Sequence, residues 1–81
     1  MSQISQSEVI SDIEKALELK PGQIGENARA EEFDTWDSLG QLTILVALDK
    51  LFGGKIANIN EMAEADSIPK IIAILKQHSL L

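Results

Sequence analysis

The sequence contains no cysteine. That excludes disulfides, thiolate metal sites and a cysteine nucleophile. Any thiol chemistry would have to be imported on a prosthetic group. Histidine is nearly absent too: His78 stands alone near the end of the sequence, so no histidine ligand cluster can be built. No apolar run approaches the ~18 residues of a membrane span, and the start of the sequence lacks the basic-then-apolar pattern of a secretory signal. The expected address is cytoplasmic, with no membrane insertion. Basic residues are scarce. Seven Lys+Arg face thirteen Asp+Glu, giving a net charge of −6 and a pI near 4.5. Nucleic acid and anionic membranes repel such a chain, so neither is an expected partner, whereas basic protein surfaces are compatible with it.

What is present fits one small globular domain spanning residues 1–81. The hydrophobic fraction of 44% is too high for a disordered tail, and the charged fraction of 25% is ordinary. A domain of this size buries only ~60% of the surface its unfolded chain exposes. Its core is thin, and an enclosed active site of ordinary size is not expected.

The hydrophobic spacing is helical throughout, and no useful strand-like alternation occurs. The first helix is expected over Ser5–Leu19. Ser5 and Glu8 have capping-box spacing, Val9, Ile10, Ile13, Ala16 and Leu17 form its apolar stripe, and Glu14 falls among its polar positions. Lys20-Pro21-Gly22 is expected to end it. A long aperiodic stretch follows from Gly22 to Asp37, rich in acids, with Ile24, Phe33 and Trp36 expected to pin it to the core. The central helix is expected over Ser38–Phe52. Two rows, Leu39/Leu42/Val46 and Leu45/Leu48/Phe52, make nearly half its surface apolar, and Gly53-Gly54 supplies its C-cap. A short helix is expected near Asn58–Ala65. The last starts at Asp66-Ser67-Ile68-Pro69 and has Ile68, Ile71, Ile72 and Leu75 as its stripe. The expected fold is all-α: three main helices and one short one forming a small four-helix bundle, with a long loop between the first two. A monomer is expected, because the internal core would consume these stripes.

One site carries chemistry. Thr35, Asp37 and Ser38 could each cap the central helix, which needs only one N-cap. A surplus serine hydroxyl at the first turn of a helix is held on a rigid element beside unpaired N–H groups and the positive end of the dipole. The position suits a phosphodiester. No histidine or lysine lies near Ser38 in sequence to activate it as a nucleophile. The hydroxyl therefore reads as the substrate of another enzyme, and no catalytic residue and no metal ligand is assigned.

From about residue 5 to 77 the chain resembles an acyl carrier protein. The resemblance rests on Asp37-Ser38-Leu39 opening the second of four helices, on the long first loop, on Leu42 to Phe52 followed by Gly53-Gly54, and on the short third helix before Asp66-Ser67-Ile68. It implies that Ser38, flanked by Asp37 and Leu39, receives a 4′-phosphopantetheine arm from coenzyme A. A separate phosphopantetheinyl transferase, using magnesium, would attach it. It further implies a stand-alone, cytoplasmic phosphoprotein of bacterial fatty acid or polyketide biosynthesis. The arm's thiol would carry an acyl or aminoacyl group as a thioester between loading and transfer enzymes. Partner contacts would fall on Trp36, Asp37, Leu39, Gln41, Thr43 and Val46. An acyl chain would fold back beside Leu45 and Ile71.

The chain also departs from the family's fatty-acid members, whose second helix is rich in acids. Here Gly40, Gln41 and Thr43 follow the triplet, the helix's charges are Asp49 and Lys50, and the acids sit in the loop at Glu31, Glu32, Asp34 and Asp37. Exposed charges set partner specificity, so a dedicated partner set is expected, from a small biosynthetic cluster or a D-alanyl transfer system. Three alternatives stay open: an aminoacyl (D-alanyl or peptidyl) carrier, a carrier-like interaction module that is never modified, and a small enzyme using Ser38 as nucleophile.

Overall fold

Serine at the right distance from glutamate starts the first helix as its chemistry requires. In the computed structural model, which describes residues 4–81, the Glu8 N–H donates to Ser5 Oγ and the Ser5 N–H donates to Glu8 Oε1, both at 3.2 Å. This reciprocal cap opens α1, Gln6–Ala16. The central helix is α2, Ser38–Leu51, and the last is α3, Ile68–Gln77. Ser67 caps α3 by accepting from the Lys70 N–H at 3.2 Å, with Pro69 in the first turn. Residues 1–3 of the expected domain lie outside the described residues.

Proline does not end α1. The helix stops earlier, at Ala16, where Glu18 turns into the left-handed region (φ +60°). Its N–H donates to the Lys15 carbonyl at 3.1 Å, and the Leu19 N–H donates to that of Glu14 at 2.8 Å. This is the Schellman pattern, which satisfies the orphan carbonyls of the last turn. Gly53 (φ +67°) closes α2 in the same way and Ser79 (φ +60°) closes α3.

The described residues hold three α-helices and no strand. The expected short fourth helix is a 3-10 turn over Asn60–Glu64, too short for α-helical hydrogen bonding to establish itself. The Gly22–Asp37 connection is more ordered than its composition suggests and holds a 3-10 turn at Ala30–Glu32. It is tied to the start of α3 through an isolated antiparallel bridge, Arg29 to Ser67. The Ala30 N–H donates to the Asp66 carbonyl at 2.8 Å, and the Ile68 N–H donates to that of Ala28 at 2.9 Å. No described helix is long and apolar enough to cross a membrane.

The core draws on every segment. Val9, Ile13 and Leu17 from α1 meet Ile44 and Leu48 from α2 and Ile68, Ile71 and Leu75 from α3. Ile24, Trp36, Ile56 and Met62 fill the gaps between them. Of the two rows expected inside on α2, only Leu48 and Phe52 are buried, with Leu45 half-buried. Leu39, Leu42 and Val46 point to solvent at 72, 57 and 51% exposure. The premise that the core consumes every apolar stripe therefore fails for this row. The apolar surface of the helix is wider than the neighbouring elements of so short a chain can cover.

Glu14, expected on a polar face, is buried. Its Oε2 accepts from the Ile24 N–H at 2.9 Å and so anchors the long loop to α1. Glu14→Ala removes the acceptor from a buried amide and should lower unfolding free energy by about 1–3 kcal/mol. The measurement is a shifted urea midpoint at constant slope. Asp12 is the opposite case: its Oδ2 is buried without a partner. Burial raises its carboxyl above the ordinary value, and Lys15 offsets this only in part. A raised folded pKa means stability that is complete below the unfolded value and is lost as pH rises through the folded one. Asp12→Asn should therefore raise the melting temperature at pH near 7, and the gain should vanish near pH 3, below the ordinary carboxylate pKa of ~3.9.

Candidate functional site

Helix α2 begins with a division of labour. Asp37 is the N-cap: its Oδ1 accepts from the Gly40 N–H at 2.8 Å, and its carbonyl accepts from the Gln41 N–H at 2.8 Å. Ser38 is the first helical residue and is exposed. Its hydroxyl is not needed for the cap. A helix leaves its first N–H groups without intrahelical partners, and those of Ser38 and Leu39 remain so after Asp37 has taken that of Gly40.

Gly40 holds this turn in place. It is buried, and a Cβ there would collide with the Thr35 carbonyl oxygen and come within 3.0 Å of Leu17 Cδ2. The loop backbone, the end of α1 and the first turn of α2 therefore meet at one point that only glycine fits. A glycine inside a helix costs ~1 kcal/mol against alanine, and that cost was the signal in the sequence that something crowds the position.

The partner-facing residues expected from sequence divide into two groups. Asp37, Leu39, Thr43 and Val46 are exposed. The Thr43 hydroxyl donates to the Leu39 carbonyl at 3.0 Å. Trp36 is turned inward, which corrects its expected place on the partner face and agrees with its expected role of pinning the loop to the core, while Gln41 is half-buried. Trp36 is 4% exposed, because the large area of its ring is worth more in the core than on the surface. Its Nε1–H donates to Gln41 Oε1 at 2.7 Å. Gln41 is half-buried, and its Nε2 donates to the carbonyls of Met62 (3.1 Å) and Ala65 (3.0 Å), with that of Ala63 at 3.4 Å. Ile24 and Trp36 anchor the loop, and Phe33 is half-buried against the core.

An open depression of about 450 Å³ lies beside Ser38, walled by Trp36, Asp37, Gln41, Ala63 and Glu64, with Asp66 at its edge. Lys70, 2.9 Å from Asp66, holds that carboxyl below its usual range. Across Ala63 a second, more apolar groove of about 390 Å³ runs between α2 and the Asn60–Glu64 turn, lined by Leu45, Val46, Ile56 and Ile59. Of the two residues expected beside an acyl chain, Leu45 lines this groove, whereas Ile71 is sealed in the core. Asp49 ties the far end down by accepting from the N–H groups of Ile56 (3.1 Å) and Ala57 (2.9 Å). His78 Nε2 lies 3.4 Å from Glu61 Oε1, bracing the end of α3 against the 3-10 turn. Nothing in the pattern singled out Gln41 or Asp49 as a brace, because their partners are backbone groups that come near only in the fold.

Gly40→Ala tests the close approach. With room for a methyl group it would stabilise α2 through helix propensity. With Thr35 in the way it should destabilise by about 1–3 kcal/mol, measured by chemical denaturation.

Comparison of the chain with protein-family models, with curated proteins and with solved structures finds no match.

Proposed function

We propose that the chain is a carrier protein, modified at Ser38 and not catalytic by itself. The observation that carries this reading is the exposed Ser38 hydroxyl at the first position of α2, freed from capping by Asp37. The residues present fit a phosphodiester there. The Ser38 and Leu39 N–H groups and the dipole of a 14-residue helix favour an anion, and the depression beside Ser38 is open to solvent. The group expected is 4′-phosphopantetheine. In its attachment the Ser38 oxygen bonds to the pantetheine-side phosphorus of coenzyme A, the pyrophosphate P–O bond breaks, adenosine 3′,5′-bisphosphate leaves with the electron pair of that bond, and the hydroxyl proton passes to a base of the transferase or to solvent. A separate magnesium-dependent phosphopantetheinyl transferase supplies the catalysis. Once bound, the arm supplies the thiol that this sequence lacks, able to hold an acyl or aminoacyl group as a thioester.

The docking face for the transferase and for loading enzymes is Asp37, Leu39, Thr43 and Val46, joined by Leu42. It is apolar with one acid at its tip. Asp49 is spent on the Ile56 and Ala57 amides, so α2 offers partners little negative charge, in keeping with a dedicated partner set. The apolar groove beyond Ala63 suits an apolar cargo. The same exposed row favours a second reading, an interaction module of this fold that is never modified.

Incubation with coenzyme A, magnesium and a transferase of broad specificity separates the two. The parent chain should gain one phosphopantetheine by intact mass, and Ser38→Ala none. No gain with any of several transferases would leave the interaction module.

A further inference from the structure

Gln41 connects more of the site than any other side chain described. An amide offers one acceptor oxygen and two N–H bonds, and here all of them are used. The oxygen holds the Trp36 indole, two residues before Ser38. The nitrogen holds the end of the Asn60–Glu64 turn, where the Met62, Ala63 and Ala65 carbonyls converge on it. Three acceptors facing two protons demand a donor at that point. Glutamine meets both needs with one side chain: it accepts from the indole and donates to the carbonyls.

The placement of Gln41 separates it from the core. Gly40, Ile44 and Leu48 carry the buried face of α2, while Gln41 sits half-buried on the wall of the depression beside Ser38. Trp36 and Ala63 stand on two other walls of that depression. Gln41 therefore fixes the walls relative to the hydroxyl without filling the interior.

We infer that Gln41 is a positioning residue for Ser38. It clamps the preceding loop, the first turn of α2 and the end of the 3-10 turn into one platform, and so sets the geometry in which the hydroxyl meets the transferase. This rests on the carrier reading.

Gln41→Glu keeps the shape of the side chain and, when ionised, removes the donor, setting a carboxylate against three carbonyls. At about pH 7.5 its kcat/KM for arm transfer should fall about tenfold or more relative to the parent, as small misplacements of reacting groups do. The emission of Trp36, the single tryptophan, should shift while far-ultraviolet circular dichroism stays unchanged. The facing carbonyls favour the protonated carboxyl, which donates again, so the ratio of variant to parent should rise steadily as pH is lowered from about 7.5 towards about 5. Asp37, Glu64 and Asp66 line the same depression in both proteins, so the ratio removes what they contribute in common. Gln41→Met, of similar volume, should show the loss without the recovery.

Equal kcat/KM for Gln41→Glu and parent at both pH values overturns the inference while the carrier reading stands. A loss that acid does not reverse, together with lost helicity, overturns it as well and leaves a purely structural residue. If the parent gains no arm and behaves as Ser38→Ala does, the carrier reading falls and takes this inference with it.

Discussion

The backbone oxygen of Thr35 packs against the α-carbon of Gly40, and the rest of the structure depends on that contact. It fixes how α2 is rotated about its axis. With Gly40 inward, Ile44 and Leu48 follow it into the core at helical spacing. Ser38, Leu39, Leu42 and Val46 are thereby turned to solvent. A side chain at position 40 would force the loop away or roll the helix, and either movement would carry the Ser38 hydroxyl with it. The exposed serine and the exposed apolar row are two results of one steric limit.

Much of the architecture was legible in the sequence because its causes are local. The Ser5–Glu8 cap, the Ser67 cap with Pro69 behind it and the Gly53 stop all act within a few residues of chain. Thr35, Asp37 and Ser38 could be read together for the same reason: a helix needs one cap, and three candidates leave a hydroxyl to spare. Periodicity also located α2, but it could not orient it. A helix with two adjoining apolar rows has no single preferred inward side, so periodicity alone did not turn the Leu39/Leu42/Val46 row outward, although the resemblance had put Leu39 and Val46 on a partner face. The burial of Glu14 and the bracing by Gln41 were hidden, since each depends on backbone groups that only the folded chain brings close.

The two depressions on either side of Ala63 differ in character along the length of α2. Near Ser38 the walls carry Asp37, Gln41 and Glu64; further on they carry Leu45, Ile56 and Ile59. A group tethered at the start of α2 would meet hydrogen-bonding surface first and apolar surface second. The Asp49 carboxylate, by holding the Ile56 and Ala57 amides, fastens the apolar end to the helix.

The clasp between Ala30 and Asp66 also borders the depression beside Ser38. Trp36, Ser38, Gln41 and Ala63 all lie on the stretch of polypeptide between those two fastened points. That stretch is in effect a ring, buckled where the long connection meets the approach to α3. A force applied at the serine acts on a closed hoop and not on a free cord.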